Sequence, residues 1–185
     1  MDCTSTNLPY KQTGYFTKIV ADYLDRSPLL REFYEHEVTI EGLQAAIAKR
    51  KEFPTDRKLL QAELRRQYAT VPTSDRVSQN IELLGNENTF TITTAHQPAI
   101  FTGTLYFVYK ILHAIKLADF LKEKIPHQHF VPVYYMGSED ADLDELGHIH
   151  LDGKKLSWET KQKGAVGRMS TKGLEKIISE VQGQF

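Results

Sequence analysis

The chain has 185 residues, 41% of them hydrophobic and 25% charged, with a formal net charge of -1. Because no excess positive charge is available to neutralise phosphates, and no apolar run is long enough to span a bilayer, the composition gives no reason to expect a nucleic-acid or membrane partner. The single cysteine, Cys3, cannot form an internal disulfide, which favours a cytoplasmic protein, and its polar surroundings supply no base for a catalytic thiol.

Residues 1–88 have the pattern of a series of short helices that carry no evident chemistry. Apolar residues recur at helical spacing between proline breakers, and Thr39 and Asp56 stand where helix N-caps are expected. The predicted helices cover 13–24, a segment opened by Ser27 and Pro28, 40–50, 57–68 and 74–84. The basic residues of positions 49–66 alternate with acidic ones, so we interpret them as solvated helix faces rather than as a binding surface.

Residue type and period change at Thr89, where a strand–helix–strand unit is predicted. Residues 89–94 alternate and are β-branched, residues 130–136 form a second apolar strand, and residues 105–124 form a long helix capped by Thr104. This order is typical of a βαβ unit with parallel strands and a right-handed crossover. The apolar residues expected on one side of the helix are Leu105, Val108, Leu112, Ile115 and Leu121.

Shorter elements follow the second strand. Residues 149–151 and 156–159 are predicted to form a β-hairpin around an Asp152-Gly153 turn, and residues 171–182 to form the last helix. A parallel sheet that starts at residue 89 would contain few strands by residue 185, although both of its faces need cover. We therefore expect the chain to be a piece of a longer protein.

Polar loops come directly after both strands of the predicted unit. Residues 94–98, from Thr94 to Pro98, follow the first strand, and residues 137–140 follow the second. Ligands of open α/β sheets bind beyond the carboxyl ends of the strands, where these loops would lie side by side. His96 can act as an acid or base, or can simply cap local backbone groups. Gln97 can both donate and accept hydrogen bonds, so we predict a small-molecule site here.

The start of the long helix offers a second set of polar groups. Free N–H groups at Thr102 and Gly103, just before Thr104, could hold a carboxylate or a phosphate. Tyr106 and Lys110 lie four residues apart on one face of the helix, and the ammonium group of Lys110 could reach an anionic substrate or be solvated.

An acidic segment, residues 139–145, holds five carboxylates in seven residues. Its first three aspartates have the spacing of a calcium-binding loop, but the required glycine and terminal glutamate are absent, which excludes an EF-hand. Solvated acids are one interpretation, and binding of a substrate amine or sugar hydroxyl is the other. His148 and His150 are expected to face opposite sides of a strand, so no metal site is predicted. The glycine motifs of P-loop and dinucleotide-binding proteins are absent.

Together these segments resemble the BshC family, the cysteine ligases of bacillithiol biosynthesis. The resemblance covers about residues 8–180, in the family's order and spacing, and corresponds to the N-terminal third of such a protein. The family usually has Gly-Gln-Gln where this chain has Ala95-His96-Gln97, and often has histidine at the position of Ala141. The matching segments are Thr94–Pro98, Thr102–Tyr106 with Lys110, Val131–Val133, Gly137–Glu145 with His148, and Ala165–Met169.

The resemblance implies a fold class and a reaction. The fold would be α/β, with an incomplete Rossmann-like, nucleotidyltransferase-like parallel sheet in a domain of residues 89–185, preceded by an α-helical segment of residues 1–88. The reaction would join the carboxyl group of cysteine to the amine of glucosaminyl-malate. Whether ATP or another nucleotide takes part stays open. A homodimer would form through a coiled coil that this chain lacks.

Site residues follow from the strand-end argument together with the resemblance. The predicted catalytic residues are His96, Gln97, Glu139 and Asp140. The predicted substrate-binding residues are Thr94, Thr102, Gly103, Tyr106, Lys110, Asp142, Asp144, His148 and Arg168. Two alternatives to a ligase stay open: a non-catalytic sugar- or nucleotide-binding module, and an unstable, inactive piece of protein.

Overall fold

The computed structural model of the protein describes residues 4–183, so Cys3 lies outside the described residues. The chain divides into two compact units, one up to Thr55 and the other from Asp56 onward. This division lies N-terminal to the predicted domain boundary between residues 88 and 89, which stays a prediction. Within the described part of the chain, no helix is long and apolar enough to cross a membrane.

The first unit is helical, as predicted, with different helix limits. Gly14 has a φ of +70° and ends a first helix that covers residues 10–13, so the predicted helix 13–24 in fact begins at Lys18. Ser27 and Pro28 open a 3-10 turn rather than an α-helix. Thr39 caps the next helix as predicted, because its hydroxyl oxygen accepts a hydrogen bond from the Gly42 amide at 3.0 Å. The elements are α1 (Tyr10–Thr13), α2 (Lys18–Leu24), the 3-10 turn Pro28–Phe33 and α3 (Ile40–Lys51).

The second unit begins with a pair of helices, α4 (Arg57–Tyr68) and α5 (Asp75–Leu83). Arg57 ties this pair to the strand that follows. Its guanidinium donates from Nη1 to the carbonyl of Leu84 at 2.9 Å and from Nη2 to the carbonyl of Thr89 at 3.1 Å. Arg57 is therefore an exception to the interpretation of the basic residues as solvated.

The predicted βαβ unit is confirmed. Strand β1 (Thr89–His96) pairs in parallel with β2 (His129–Met136), and α6 (Leu105–Lys124) connects them. The register places Thr89 opposite His129 and His96 opposite Met136, so both strands end at the same level. The strand extends two residues beyond its predicted end, which makes His96 the last residue of β1 rather than a loop residue.

The buried face of α6 differs from the one predicted. Leu105 and Leu112 are 69% and 55% exposed, whereas Ala114, Ala118 and Leu121 are buried. Small alanine side chains let a helix approach its neighbours closely, and they carry little hydrophobic signal in a sequence. The prediction therefore included larger apolar residues that lie on the outer side; it was right for Leu121, and Val108 is half-buried.

The remaining elements form a small hairpin and helix with their own core of Leu156, Trp158 and Ile177. The hairpin turn is the predicted Asp152-Gly153 pair, with φ values of +47° and +75°. The last helix starts at residue 174 instead of 171, because Gly173 precedes it with a φ of +95°. The elements are α7 (Leu143–Leu146), β3 (His148–Leu151), β4 (Lys154–Ser157), the 3-10 turn Val166–Arg168 and α8 (Leu174–Gln182).

Candidate functional site

The loops after β1 and β2 meet at the carboxyl edge of the sheet. The Gln97 side-chain amide donates to Oδ2 of Asp140 at 2.9 Å, and the Gly137 amide donates to the carbonyl of His96 at 3.0 Å. Equal strand ends in a parallel pair bring the two loops to the same place, as the strand-end argument requires. Of the four predicted catalytic residues, the structure thus brings Gln97 and Asp140 into direct contact.

His96 is buried, with 7% of its surface exposed, and both ring nitrogens have partners. Nδ1 lies 3.0 Å from the carbonyl oxygen of Gln97, and Nε2 lies 2.6 Å from the hydroxyl of Tyr106. The Tyr106 hydroxyl also lies 2.9 Å from Oε1 of Glu145. A chain of hydrogen bonds therefore runs from a buried imidazole through a tyrosine hydroxyl to a carboxylate whose side chain is 41% exposed.

The Tyr106 hydroxyl sits in surroundings that keep it protonated. Partial burial raises the pKa of Tyr106 above 10.0, and the hydrogen bond and negative charge of Glu145 raise it further. A phenol with a raised pKa stays neutral near pH 7, so this hydroxyl can donate one hydrogen bond and accept another.

Both carboxylate oxygens of Asp140, in the acidic segment, accept hydrogen bonds. Its Oδ2 accepts from Gln97, and its Oδ1 accepts from the Asp142 amide at 2.9 Å. The Gln97 hydrogen bond, followed by backbone hydrogen bonds, lowers the pKa of Asp140 below its ordinary value of 3.8. The carboxylate is therefore ionised near neutral pH and suited to bind a cation or a hydroxyl group.

This lowered pKa gives a pH dependence of known sign. The Asp140 contacts stabilise the folded loops above the ordinary pKa, and that stability is lost as the pH falls through the lower folded-state pKa. Replacing Gln97 by alanine removes the largest cause, so we expect the pKa of Asp140 to rise toward 3.8. Carbon-13 NMR of the Asp140 carboxyl during an acid titration measures this. Gln44→Ala, on the exposed side of α3, is the control, and an unchanged titration in Gln97→Ala would contradict the assignment.

The other predicted acids make local contacts. Glu139 accepts from the Tyr135 hydroxyl at 3.2 Å, and its negative charge raises the pKa of that hydroxyl. The Asp142 carboxylate caps α7 by accepting from the amide of Glu145 at 3.2 Å. The carbonyl of Asp144 lies 2.8 Å from Nδ1 of His148. The acidic segment is thus a structured turn and one short helix, α7, which the sequence analysis did not predict.

The expected orientation of the two hairpin histidines is wrong. His148 and His150 are two residues apart on β3, and residues at that spacing share one face of a strand. Their ring centroids lie 5.4 Å apart in an edge-to-face arrangement. Among residues 4–183, no group of three or more His, Cys, Asp or Glu side chains is placed to hold a metal ion.

A strained turn precedes α6. Phe101 and Thr102 have φ values of +46° and +70°, which side chains with a Cβ rarely adopt, and Gly103 has +60°. A Cβ at Gly103 would lie 2.6 Å from the Cβ of Ala99. The Thr104 side chain makes no capping hydrogen bond, contrary to the prediction. Anion binding by Thr102 and Gly103 stays a prediction.

Lys110 reaches back from α6 to the end of β1. Its ammonium group donates to the carbonyl of Ala95, and Nζ lies 5.8 Å from the centre of the Tyr106 ring. The predicted pairing of Lys110 and Tyr106 on one helix face is confirmed. The ammonium group is thereby held beside the residue that precedes His96.

A glycine brings the 3-10 turn at residues 166–168 onto the loop after β2. The Val166 amide donates to the carbonyl of Asp140 at 2.8 Å, and the Gly167 amide donates to the carbonyl of Ser138 at 3.0 Å. A Cβ at Gly167 would lie 2.5 Å from the Cβ of Ser138. This close approach brings Arg168, the next residue, to the loop that carries Asp140.

Thr94 lies apart from this cluster. It lines a groove of about 310 Å³ together with residues of α5, α6 and β2, among them Val77, Ile111 and Pro132. The structure therefore does not bring Thr94 into the hydrogen-bonded group formed by Gln97, Asp140 and the His96 chain.

Two residues of the site were missed by the sequence analysis. Glu145 follows Asp142 at the spacing of a capping box, which suggests a purely local role. However, the Asp142 amide bonds Asp140, which leaves the Glu145 carboxylate free to reach Tyr106. Tyr134, whose hydroxyl donates to the carbonyl of His96 at 2.9 Å, gave no signal beyond its place in a strand.

Comparison with known proteins gives consistent matches. A family model described as "Bacillithiol biosynthesis BshC, N-terminal Rossmann-like domain" matches residues 1–185. A Flavobacterium psychrophilum protein named "Putative cysteine ligase BshC" is 47% identical over 100% of this chain and 34% of its own length. Proteins of the same name from Flavobacterium johnsoniae and Bacillus cereus are 44% and 27% identical, over 96% and 77% of this chain and 33% and 26% of their own lengths. The chain thus spans about a third of the length of the two Flavobacterium proteins.

Proposed function

The chain belongs to the BshC family and has its Rossmann-like α/β fold, and on this premise we propose that it supplies part of the active site of a cysteine ligase of bacillithiol biosynthesis. In the proposed reaction, a bond forms between the carboxyl carbon of cysteine and the amine nitrogen of glucosaminyl-malate, a C–O bond of that carboxyl group breaks, and the elements of water are lost. The whole protein would work in the cytoplasm as a homodimer, and the 185-residue chain alone is expected to form no product.

The observation that supports this most directly is the Gln97–Asp140 hydrogen bond at the ends of β1 and β2. It joins a neutral donor–acceptor to an ionised carboxylate, at the position where open α/β sheets bind small molecules. Asp140 has the right charge to attract the ammonium form of an amino sugar, and Gln97 can hold a hydroxyl or an acyl oxygen.

The surrounding charges fit the ends of the two proposed substrates. Glu139 and Asp142 add negative charge beside Asp140, for the amine and the sugar hydroxyls. Lys110 and Arg168 are the cations proposed to meet the carboxylates of cysteine and malate, and a guanidinium suits a bidentate contact with a carboxylate. The predicted roles of Asp144, His148, Thr94, Thr102 and Gly103 in substrate binding are further parts of the same proposal.

The test uses a chimera. This chain replaces the aligned third of the Flavobacterium psychrophilum relative, to which it is 47% identical, and the product is assayed with cysteine and glucosaminyl-malate, with and without ATP. We expect bacillithiol to form, and we expect Gln97→Ala to slow its formation by about tenfold or more, as loss of a positioning group does. Gln44→Ala is the matched control and should retain full activity.

A folded chimera that forms no bacillithiol, with or without ATP, would contradict the ligase proposal. Calorimetry then separates the alternatives. Heat of binding with glucosaminyl-malate or a nucleotide, without product, would favour a non-catalytic binding module. Absence of a cooperative thermal transition for this chain alone would favour the unstable-piece interpretation.

A further inference from the structure

The hydrogen bonds made by His96, Tyr106 and Glu145 need more protons than a neutral imidazole, a phenol and a carboxylate carry. The bond from Nδ1 to the Gln97 carbonyl needs a proton on Nδ1, because a carbonyl only accepts. The Nε2–hydroxyl contact of 2.6 Å and the hydroxyl–carboxylate contact of 2.9 Å need one proton each. Three bonds therefore need three protons, whereas a neutral imidazole and a phenol together supply two.

We propose that Tyr106 is a proton-relay residue that lets His96 and Glu145 take up and release one proton as a unit. With two protons present, Nε2 of His96 and the Glu145 carboxylate compete for the single hydroxyl proton of Tyr106. One of these two acceptors then receives no hydrogen bond. Uptake of a third proton completes all three hydrogen bonds. The two-proton state is thus the base of the site, and the three-proton state is its acid.

The exposure of His96 and Tyr106 indicates the role of each residue in the relay. The His96 side chain is 3% exposed, so it reaches a substrate through the Tyr106 hydroxyl rather than directly, and acts as a positioning residue. Tyr106 is 46% exposed as a whole residue, and its hydroxyl bonds to the carboxylate of Glu145, whose side chain is 41% exposed. The carboxylate of Glu145 lies 3.9 Å from Nε2.

Charged and polar groups from each neighbouring element surround the hydrogen bonds that link His96, Tyr106 and Glu145. Tyr106 and Lys110 come from α6, Glu145 comes from α7, and Tyr134 comes from β2. Lys110 donates to the carbonyl of Ala95, one residue before His96. The Tyr134 hydroxyl donates to the carbonyl of His96 and leaves the ring nitrogens to Gln97 and Tyr106.

The role of this relay in catalysis rests on the proposed function. Amide formation requires a neutral amine, and an amino sugar arrives as an ammonium ion. In the proposed step, one ammonium N–H bond breaks and its proton passes to the Tyr106 oxygen, while the Tyr106 proton passes to Nε2 of His96. The amine becomes neutral, the imidazole becomes cationic, and the tyrosine ends unchanged, so protons and charges balance.

The relay itself is tested without substrate, by nitrogen-15 NMR of the His96 ring during a pH titration of the folded chimera. We expect Glu145→Gln to lower the proton affinity of the ring by about tenfold, because the new amide donates to Tyr106 and fixes the neutral Nδ1–H form. In a Tyr106→Phe background, Glu145→Gln should change the proton affinity of the ring by less than about threefold. Only the loss of a solvent-screened charge would then act on the ring. Tyr109→Phe, which removes a hydroxyl from the exposed side of the same helix, should leave the ring unchanged.

Equal effects of Glu145→Gln in both backgrounds would overturn the relay, and so would a ring that does not respond in either. If Tyr106→Phe does not fold, Glu145→Asp takes its place. The shorter side chain keeps the negative charge but withdraws it from the Tyr106 hydroxyl, so it should change the ring nearly as much as Glu145→Gln does, and a ring unchanged from the unsubstituted protein would overturn the proposal. These spectra contain no substrate, so their failure and a failure of the chimera assay are distinguishable.

Discussion

Leu121→Ala is expected to lower the free energy of unfolding of the second unit by about 2–5 kcal/mol, the range found for leucine truncation in protein cores. Leu121 lies on the inner face of α6 and is 0% exposed. Truncation removes apolar contacts and leaves a cavity that rigid neighbours fill only partly. The one tryptophan, Trp158, belongs to the same unit, so urea unfolding followed by its fluorescence reports the change.

The matched control for Leu121 lies on the same helix. Leu112 is 55% exposed, so Leu112→Ala removes the same atoms from a solvated site and should change stability by less than about 0.5 kcal/mol. Equal losses in the two variants would show that the outer side of α6 is the packed one. That result would restore the face predicted from the sequence.

Gly167→Ala is expected to destabilise the second unit by about 1–3 kcal/mol, the usual cost of inserting a methyl group where there is no room. The added Cβ would meet the Cβ and carbonyl oxygen of Ser138 at 2.5 and 2.8 Å. Backbone atoms cannot rotate away as a flexible side chain can, so the 3-10 turn must move off the loop. That movement displaces Arg168, and in the chimera assay we expect bacillithiol formation to fall by about tenfold or more.

Gly183 provides the control for the glycine substitution. It follows α8 with a φ of -73°, and the nearest atom to a Cβ there is the carbonyl oxygen of Ser179 at 3.5 Å. Gly183→Ala should therefore leave stability and activity unchanged. A Gly167→Ala variant that retains both would mean that the contact with Ser138 does not position Arg168.

Regular features were predictable from the sequence, because they depend on local spacing. Alternation and β-branching indicated β1, long apolar periodicity indicated α6 to the residue, and the capping roles of Thr39 and Asp56 are confirmed by their hydrogen bonds to helix amides. The sequence also predicted that the loops carrying Gln97 and Asp140 lie side by side, because neighbouring parallel strands end at the same edge of a sheet. The hydrogen bond between the two side chains agrees with this.

Features that depend on distant neighbours were not predictable. The choice of Ala114 and Ala118 for the inner face of α6 depends on how near the sheet lies. The Glu145 carboxylate binds Tyr106 only because the Asp142 amide is already bonded, a competition that residue spacing cannot express. The orientation of His148 and His150 is a different case, because the two-residue period of a strand was enough to place them on one face.

The guanidinium of Arg57 joins the end of α5 to the first residue of β1, through the carbonyls of Leu84 and Thr89. Its consequence concerns cooperativity in unfolding. Because one rigid, planar cation serves both acceptors, neither the helix end nor the strand start can open without releasing a bond that holds the other. The α4–α5 pair and the sheet should therefore gain and lose hydrogen-exchange protection together. A shortened chain that starts at Thr89 would keep one acceptor and lose the donor.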